Sequence, residues 1–271
     1  MIHYNLLGRE VEEVYETKLH AALASCDDSF FMPDLIRSRI SADNTHRLWQ
    51  TWWSAPSICA TGRTPAGNAI VLYAHVPNFY SDANNLKIAV EERKLIGGAG
   101  VLPREEFARL LSLEGNGVQV VDHSILEKST SGFIPFSKVM KHPQTLPFLG
   151  VSEEEAQVYL MKHTSLYGSN IGIWHSDDLG EEPVARVLFL GDNFNNYLFG
   201  NYLKYGGRFL GVRRRPVASV SEPVNAIGTP QKISSVPPLE ILLEKSKPYI
   251  LPSYFEGYEA MLTDLYKKNK F

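Results

Sequence analysis

The chain has 271 residues, of which 44% are hydrophobic and 21% charged, and its formal net charge at pH 7 is -3. These fractions are ordinary for a globular protein and argue against disorder along most of the chain. The small negative charge excludes a general electrostatic attraction to nucleic acid or to an anionic membrane, so we expect neither as a partner.

Three features of the sequence favour a soluble protein in the cytoplasm. Cys26 and Cys59 are the only cysteines, and two are too few for a disulfide framework. The first residues lack the basic start and the apolar core of a secretion signal. The longest apolar strand, residues 69–76, is too short to cross a bilayer.

The first 55 residues are predicted to be mainly helical. Between residues 9 and 25, apolar side chains recur near helical spacing with glutamate and lysine between them, as in an amphipathic helix. A second helix is predicted from about residue 44 to residue 53, with Asp43 as its N-cap. It carries an aromatic face made of Leu48, Trp49, Trp52 and Trp53. Such a face usually belongs to a hydrophobic core, and the alternative is a stacking wall beside a ligand.

Two apolar strands are predicted at residues 69–76 and 118–121, with helices between them that begin near Asp82 and Pro103. Continuous apolarity in the first strand indicates burial on both of its faces. Helical connections favour parallel pairing of the two strands. Between the helices, Gly97-Gly98-Ala99-Gly100 lacks the pattern of a phosphate-binding loop and predicts a helix end with a flexible turn.

The second half of the chain begins with a helix predicted to start at Ser152, which can form a capping box with Glu155. Strands are then predicted at residues 171–174, 185–190 and 208–213. The Gly/Asn-rich connection between the last two favours antiparallel pairing. Together the elements predict an α/β or α+β fold with a mixed, partly parallel sheet flanked by helices.

The domain organisation is predicted from shifts in composition. Residues 1–220 are expected to form one main α/β domain, which includes the helical region at residues 1–55. Residues 221–238 are rich in proline and serine and are predicted to form an extended linker or strap. Residues 239–271 are predicted to be a C-terminal helical segment packed on the main domain.

Polar residues of catalytic type follow three of the predicted strands: His75, the pair Asp122-His123, and His175-Ser176-Asp177-Asp178. If the strands are parallel neighbours, these residues meet at one crevice, because ligands collect at the carboxyl ends of parallel strands. His175 and Asp177 point the same way in an extended chain. Such a pair can hold a divalent metal ion, or act as a base with its orienting partner.

Catalytic roles are therefore predicted for His175, Asp177, Asp122 and His123, and metal ligation for His175, Asp177, Asp178 and His75. Each assignment has a structural alternative. The aspartates after residue 174 fit a turn, Asp122 fits a helix cap, and His75 fits a hydrogen-bonded core histidine. The sequence has no short chelating pair such as Cys-x-x-Cys or His-x-x-x-His, so a metal would need ligands from distant loops.

One segment carries a resemblance to a known family. Gly206-Gly207-Arg208-Phe209-Leu210-Gly211-Val212-Arg213, which follows Trp174-His175-Ser176 in the chain, resembles the closing segment of C-type-lectin-like sulfatase-modifying-factor domains. The resemblance covers residues 171–215 and rests on residue types. The helices predicted for the N-terminal half do not match such a domain, and the predicted fold class does not adopt it.

Two functional hypotheses follow from the sequence. The leading one is a hydrolase acting on a small polar or phosphorylated substrate at the strand ends, with or without a divalent metal ion as cofactor. The alternative is a non-catalytic binding or assembly protein that contacts partners through the tryptophan-rich helix and the proline-rich segment. Whether the protein is an enzyme, which small molecule it binds and its oligomeric state stay open.

Overall fold

The structure is a computed structural model, and it describes residues 3–92, 95–174, 179–191 and 197–213, together with residue 263. The chain divides into two units, Met1–Pro216 and Val217–Phe271, and the fold described below is that of the first unit. The predicted linker at residues 221–238 lies outside the described residues, as does the predicted C-terminal segment except for residue 263. Both therefore stay predictions.

The described residues form thirteen strands, nine α-helices and one 3-10 helix (Phe79–Ser81). The strands are β1 (His3–Leu6), β2 (Arg9–Glu16), β3 (Cys26–Asp27), β4 (Trp53–Arg63), β5 (Ala69–Ala74), β6 (Leu95–Ile96), β7 (Ala99–Val101), β8 (Val118–Asp122), β9 (Gly132–Pro135), β10 (Asn170–Ile173), β11 (Val184–Leu190), β12 (Tyr197–Asn201) and β13 (Gly207–Arg213). The helices are α1 (Leu19–Ala24), α2 (Met32–Ser41), α3 (Arg47–Gln50), α4 (Ala83–Glu91), α5 (Arg104–Leu111), α6 (His123–Glu127), α7 (Phe136–Val139), α8 (Thr145–Leu149) and α9 (Glu153–Tyr167).

The strands form two sheets, one with the order β1-β2-β13-β3 and a larger one with the order β8-β5-β4-β11-β12-β10-β9. The β6–β7 hairpin joins the larger sheet through β11. Neighbouring strands run antiparallel, apart from the parallel pair β10 and β12. The fold is therefore α+β and built on antiparallel sheets.

The parallel pairing predicted for the strands at residues 69–76 and 118–121 is wrong. It was inferred from the helices that connect them. Strands β5 and β8 are antiparallel neighbours, with Ala74 opposite Val118 and Ile70 opposite Asp122. A long helical connection is required between parallel strands, but antiparallel strands tolerate one as well. The helices between the two strands therefore carried no information about direction.

The helix predicted over residues 9–25 is also wrong in its first half, because Arg9–Glu16 is strand β2. Val11 packs into one hydrophobic core and Val14 into the other. A spacing of three places two residues on the same side of a helix but on opposite faces of a strand. The valines therefore serve two cores on the two faces of β2.

The central strands are covered on both faces by hydrophobic cores. Helices α2, α8 and α9 contribute to one core, and α1, α4 and α5 contribute to the other. Strand β5 sends Val71 and Tyr73 into the first core and Ile70, Leu72 and Ala74 into the second. Its predicted burial on both faces is confirmed.

The predicted helix starts are confirmed at two positions and corrected at a third. Asp82 caps α4 by accepting a hydrogen bond from the Asn84 amide, and Ser152 caps α9 in a capping box. The tryptophan-rich helix is shorter than predicted. His46, and not Asp43, caps α3, and the strand β4 already begins at the third tryptophan of the aromatic face.

Candidate functional site

The predicted meeting of three strand ends does not occur between β5 and β8. Because these strands are antiparallel, the end of β5 lies beside the start of β8. Asp122 lies opposite Ile70, so His75 and the pair Asp122-His123 are separated along the strands by five residues or more, roughly 17 Å at the rise of a β-strand. They lie at opposite ends of the paired strands and do not share a crevice.

Both ring nitrogens of His75 have hydrogen-bond partners. Its Nδ1 lies 3.0 Å from the Ser57 hydroxyl oxygen, and its Nε2 lies 2.9 Å from the Pro147 carbonyl oxygen. Burial of the ring lowers the pKa of His75 to about 4, so the imidazole is neutral at neutral pH. A neutral ring donates from Nε2 to the carbonyl and accepts at Nδ1. The ring therefore has the hydrogen bonds expected of a core histidine, and metal ligation by His75 stays a prediction.

Asp122 acts as the cap of helix α6. Its carboxylate accepts hydrogen bonds from the Ser124 hydroxyl at 2.6 Å and the Ser124 amide at 2.8 Å, and these bonds lower the pKa of Asp122. His123 is buried, and its Nδ1 lies 3.5 Å from a carboxylate oxygen of Glu127. Asp122 and His123 also line an open cavity of about 690 Å³, together with Thr64 and other residues.

The remaining predicted site residues, His175, Asp177 and Asp178, lie outside the described residues. Their roles as base or metal ligands stay predictions. Among the residues that the structure does describe, no group of three or more histidine, cysteine, aspartate or glutamate side chains is placed to hold a metal ion.

A different surface brings together aromatic side chains from four separate segments. Tyr15 on β2, Trp52 before β4, Phe189 on β11 and Tyr205 before β13 line an open cavity of about 300 Å³. These four residues are called the aromatic surface below. Two of them are well exposed, Tyr15 at 47% and Tyr205 at 51%. Aromatic side chains that line a cavity beside polar groups are typical of ligand sites, which makes this surface a candidate site.

Three rings of the aromatic surface contact one another in a row, from Tyr15 through Trp52 to Phe189. The Tyr15 and Trp52 ring centroids are 6.0 Å apart in an edge-on arrangement, and the Trp52 and Phe189 centroids are 5.6 Å apart. Both separations lie in the range in which aromatic pairs attract. The three rings therefore support each other in a continuous wall.

Arg208 places a positive charge against this wall. Its guanidinium carbon lies 4.7 Å from the centroid of Tyr15 and 4.9 Å from that of Trp52, within the range of cation–π attraction. The register of β2 and β13 sets this contact, because Arg208 lies opposite Tyr15. Glu13 forms ion pairs with both Arg208 and Arg47. One carboxylate thus balances two guanidinium groups beside the aromatic surface.

Arg39 holds the backbone beneath the aromatic surface. It is 1% exposed and donates hydrogen bonds to the carbonyl oxygens of Leu48, Thr51 and Gly191 at 2.8–2.9 Å, and to the Tyr159 hydroxyl at 3.2 Å. The second of these carbonyls directly precedes the surface tryptophan, and the third follows strand β11. The buried cation therefore ties together two segments that supply rings to the surface.

The aromatic face predicted from the sequence divides between the core and the surface, and whether its surface part lies beside a ligand stays a prediction. Leu48, Trp49 and Trp53 are buried at 1% exposure or less, as expected of core residues. Trp52 alone turns outward and becomes part of the stacking wall. The other three surface residues lie far from it in the sequence, and no local pattern marks them.

Comparisons with known proteins place this fold in a class. No known protein-family profile matches the chain, and no curated protein matches it. A solved structure does match, from a study of the accommodation of massive sequence variation in Nanoarchaeota by the C-type lectin fold. It is 46% identical in sequence with a TM-score of 0.71, and the match covers 77% of this chain and 100% of the other.

The antiparallel α+β architecture is thus a C-type lectin fold. The chain belongs to the family of C-type lectin fold proteins represented by that nanoarchaeal structure.

The prediction that the protein is a hydrolase is contradicted by its membership of this family. A close relationship to a C-type lectin fold protein points to non-catalytic binding, which was the alternative hypothesis, and it gives no support to hydrolysis or to a catalytic metal. Among the described residues, no helix has both the length and the apolar character needed to cross a membrane.

Proposed function

We propose that this protein is a non-catalytic ligand-binding protein and that it holds its ligand on the aromatic surface. The observation that carries the proposal is the cavity lined by Tyr15, Trp52, Phe189 and Tyr205 beside Arg208. Tyrosine, tryptophan and arginine are the residues that most often dominate binding energy at interfaces. Tyrosine and tryptophan bury a large area while ordering few rotatable bonds.

The chemistry of the surface limits the ligands that fit it. The rings stack against a flat or apolar face, and the guanidinium group of Arg208 offers hydrogen-bond donors at the same place. A ligand with one apolar face and nearby acceptor oxygens therefore satisfies both. Sugars and peptide segments that expose an aromatic or aliphatic side chain are the classes to test first.

The composition around the surface supports recognition of a ligand. Residues 197–207, which lead to Tyr205 of the aromatic surface, include three tyrosines, three glycines and one asparagine, residue types that are enriched in antibody binding loops. In the nanoarchaeal relative the C-type lectin fold accommodates massive sequence variation. We propose that the exposed positions of the aromatic surface tolerate variation in this chain too, because the adjoining backbone is anchored by the buried side chains of Leu198, Leu203 and Phe209.

The experiment is a binding screen followed by titration of matched variants. Glycan and peptide arrays identify a ligand, and calorimetry then compares the native protein with Trp52→Ala and Phe133→Ala. Phe133 is an exposed aromatic residue, at 56%, that does not line the cavity. We expect Trp52→Ala to weaken binding by about 2 kcal/mol or more and Phe133→Ala to leave it unchanged. Equal binding by the native protein and Trp52→Ala would show that the ligand binds elsewhere.

A further inference from the structure

The turn of the β6–β7 hairpin lies directly against a tyrosine of the β12–β13 connection. Gly97 and Gly98 form the turn with φ angles of +58° and +89°. A Cβ atom added to Gly98 would lie 3.0 Å or less from three atoms of the Tyr202 ring. The glycine is therefore required for two reasons, its backbone conformation and the space that the ring occupies.

Three further contacts hold the same connection on the hairpin. The Leu203 amide donates to the Gly98 carbonyl at 3.1 Å, and a Cβ on Gly100 would lie 2.8 Å from a methyl carbon of Leu203. Arg186 donates to the Gly97 carbonyl at 2.7 Å. Its guanidinium carbon lies 4.5 Å from the centroid of the Tyr202 ring. Tyr202 and Leu203, which are consecutive in the chain, thus pack against Gly98 and Gly100 of one hairpin.

Tyr202 links this hairpin to the aromatic surface. Its ring centroid lies 5.5 Å from that of Tyr205, and the two rings meet edge-on. The Tyr205 amide donates to the Tyr202 carbonyl at 3.1 Å, and the Tyr205 carbonyl accepts from the Leu19 amide at 2.9 Å. The position of Tyr205 in the cavity therefore depends on where Tyr202 is held.

We propose that Gly98 is a positioning residue for ligand binding: it seats Tyr202, and Tyr202 sets the place of Tyr205 in the aromatic surface. The proposal rests on the proposed function in so far as Tyr205 contacts the ligand. A requirement for a tight turn alone does not account for the geometry. Gly67 has nearly the same φ, +88°, with no atom within 4 Å of an added Cβ.

The test uses this pair of glycines as matched variants, because Gly98→Ala and Gly67→Ala impose the same backbone strain and only the first meets a ring. Hydrogen exchange reports on the Leu203 amide. The probe of the surface is 8-anilinonaphthalene-1-sulfonate, an aromatic anion suited to the rings and to Arg208. We expect Gly98→Ala to speed Leu203 exchange and to weaken dye binding, each by about tenfold, and Gly67→Ala to change neither.

Two more variants make every outcome decisive. Tyr202→Ala removes the ring without disturbing the hairpin, so it weakens dye binding even if Gly98→Ala does not fold. Trp52→Ala tests the surface itself. If Trp52→Ala abolishes dye binding while Gly98→Ala and Tyr202→Ala match Gly67→Ala, the positioning role is overturned and the proposed function stands. If Trp52→Ala binds the dye normally, the proposed function fails, and Leu203 exchange alone decides whether Gly98 seats the turn.

Discussion

The two ends of strand β4 carry surfaces of different character. At its start, aromatic rings from four segments of the chain line a cavity, and Arg208 lies against two of them, Tyr15 and Trp52. Roughly 30 Å away at the rise of a strand, the open cavity near Thr64 has three polar residues that are close neighbours in the chain, Asp122, His123 and Ser124, beside apolar residues such as Ile70 and Val120. The polar residues are largely occupied with capping and orienting helix α6. The rings contact one another and Arg208, and none of these contacts caps a helix.

The polar residues that are adjacent in the sequence are thus a different set from the residues that meet in space at the proposed binding surface. A run such as Asp-His-Ser attracts attention in a sequence because its members are reactive. In the structure its carboxylate satisfies a helix terminus, which is the commonest use of an aspartate at that position. The aromatic surface is invisible in the sequence because its members lie at residues 15, 52, 189 and 205.

The largest expected effect comes from the support beneath the aromatic end. Arg39→Ala removes the arginine donor from the buried carbonyls of Thr51 and Gly191 and one of the two donors to the Leu48 carbonyl, so we expect the free energy of unfolding to fall by about 3 kcal/mol or more. Urea denaturation measures it. Arg37→Ala, on the same helix α2, removes an exposed ion pair with Glu155 and should cost less than about 1 kcal/mol. Similar losses in the two variants would contradict the role given to Arg39.

The second prediction concerns the core and neither surface: the stability of the protein should depend on pH through the buried His75. The pKa of His75 is about 4 in the folded protein and near 6.5 when unfolded. The unfolded chain therefore binds a proton that the folded protein does not, and stability falls as the pH drops from about 6.5 towards 4. The contribution of this group amounts to at most about 3 kcal/mol.

His75→Gln isolates that contribution, because glutamine keeps a donor and an acceptor but does not titrate. Unfolding free energies measured from pH 7 to pH 4 should fall more steeply for the native protein than for the variant. Parallel curves would mean that the ring is protonated in the folded state as readily as in the unfolded one.

The third prediction contrasts the two ends directly. Asp122→Ala removes the cap of α6, so we expect a small decrease in melting temperature and no change in ligand affinity. Trp52→Ala should instead have a loss of ligand affinity as its main effect. Thermal melts and calorimetric titrations of both variants provide the measurement, and a loss of affinity in Asp122→Ala would move the site to the polar end.

The smallest expected effect on stability is at Tyr205. With half of its surface exposed, Tyr205→Ser should change the unfolding free energy by about 0.5 kcal/mol or less while weakening ligand binding. The substitution thus tests whether the surface can vary without loss of the fold. A large drop in melting temperature would show that this ring is structural.

Much of the local structure could be predicted from the sequence, and the arrangement of the pieces could not. Strands β5, β8 and β11 and the caps of α4 and α9 follow from apolar runs and from Asp82 and Ser152. These depend on neighbours in the chain. Strand direction and order depend on contacts between distant residues, which no local pattern records.

The error at the N-terminus had a wider consequence. The segment at residues 206–213 resembles the close of a C-type-lectin-like domain, and that resemblance agrees with the fold of this chain. The helix predicted for residues 9–25 argued against it, although Arg9–Glu16 is the strand beside β13. Reading Val11 and Val14 as two faces of a strand would have removed the conflict. The cytoplasmic location stays a prediction.

The pairing of β13 with β2 has a consequence for how the protein is made. Strand β2 emerges early in synthesis, but its partner at Gly207–Arg213 comes almost two hundred residues later. Until then one edge of β2 stays open, and such long-range pairing slows folding and exposes the nascent chain to aggregation. Arg208 reaches Tyr15 only through this pairing. The protein can therefore acquire its binding surface only after translation has passed residue 213, as the last step in completing the sheet.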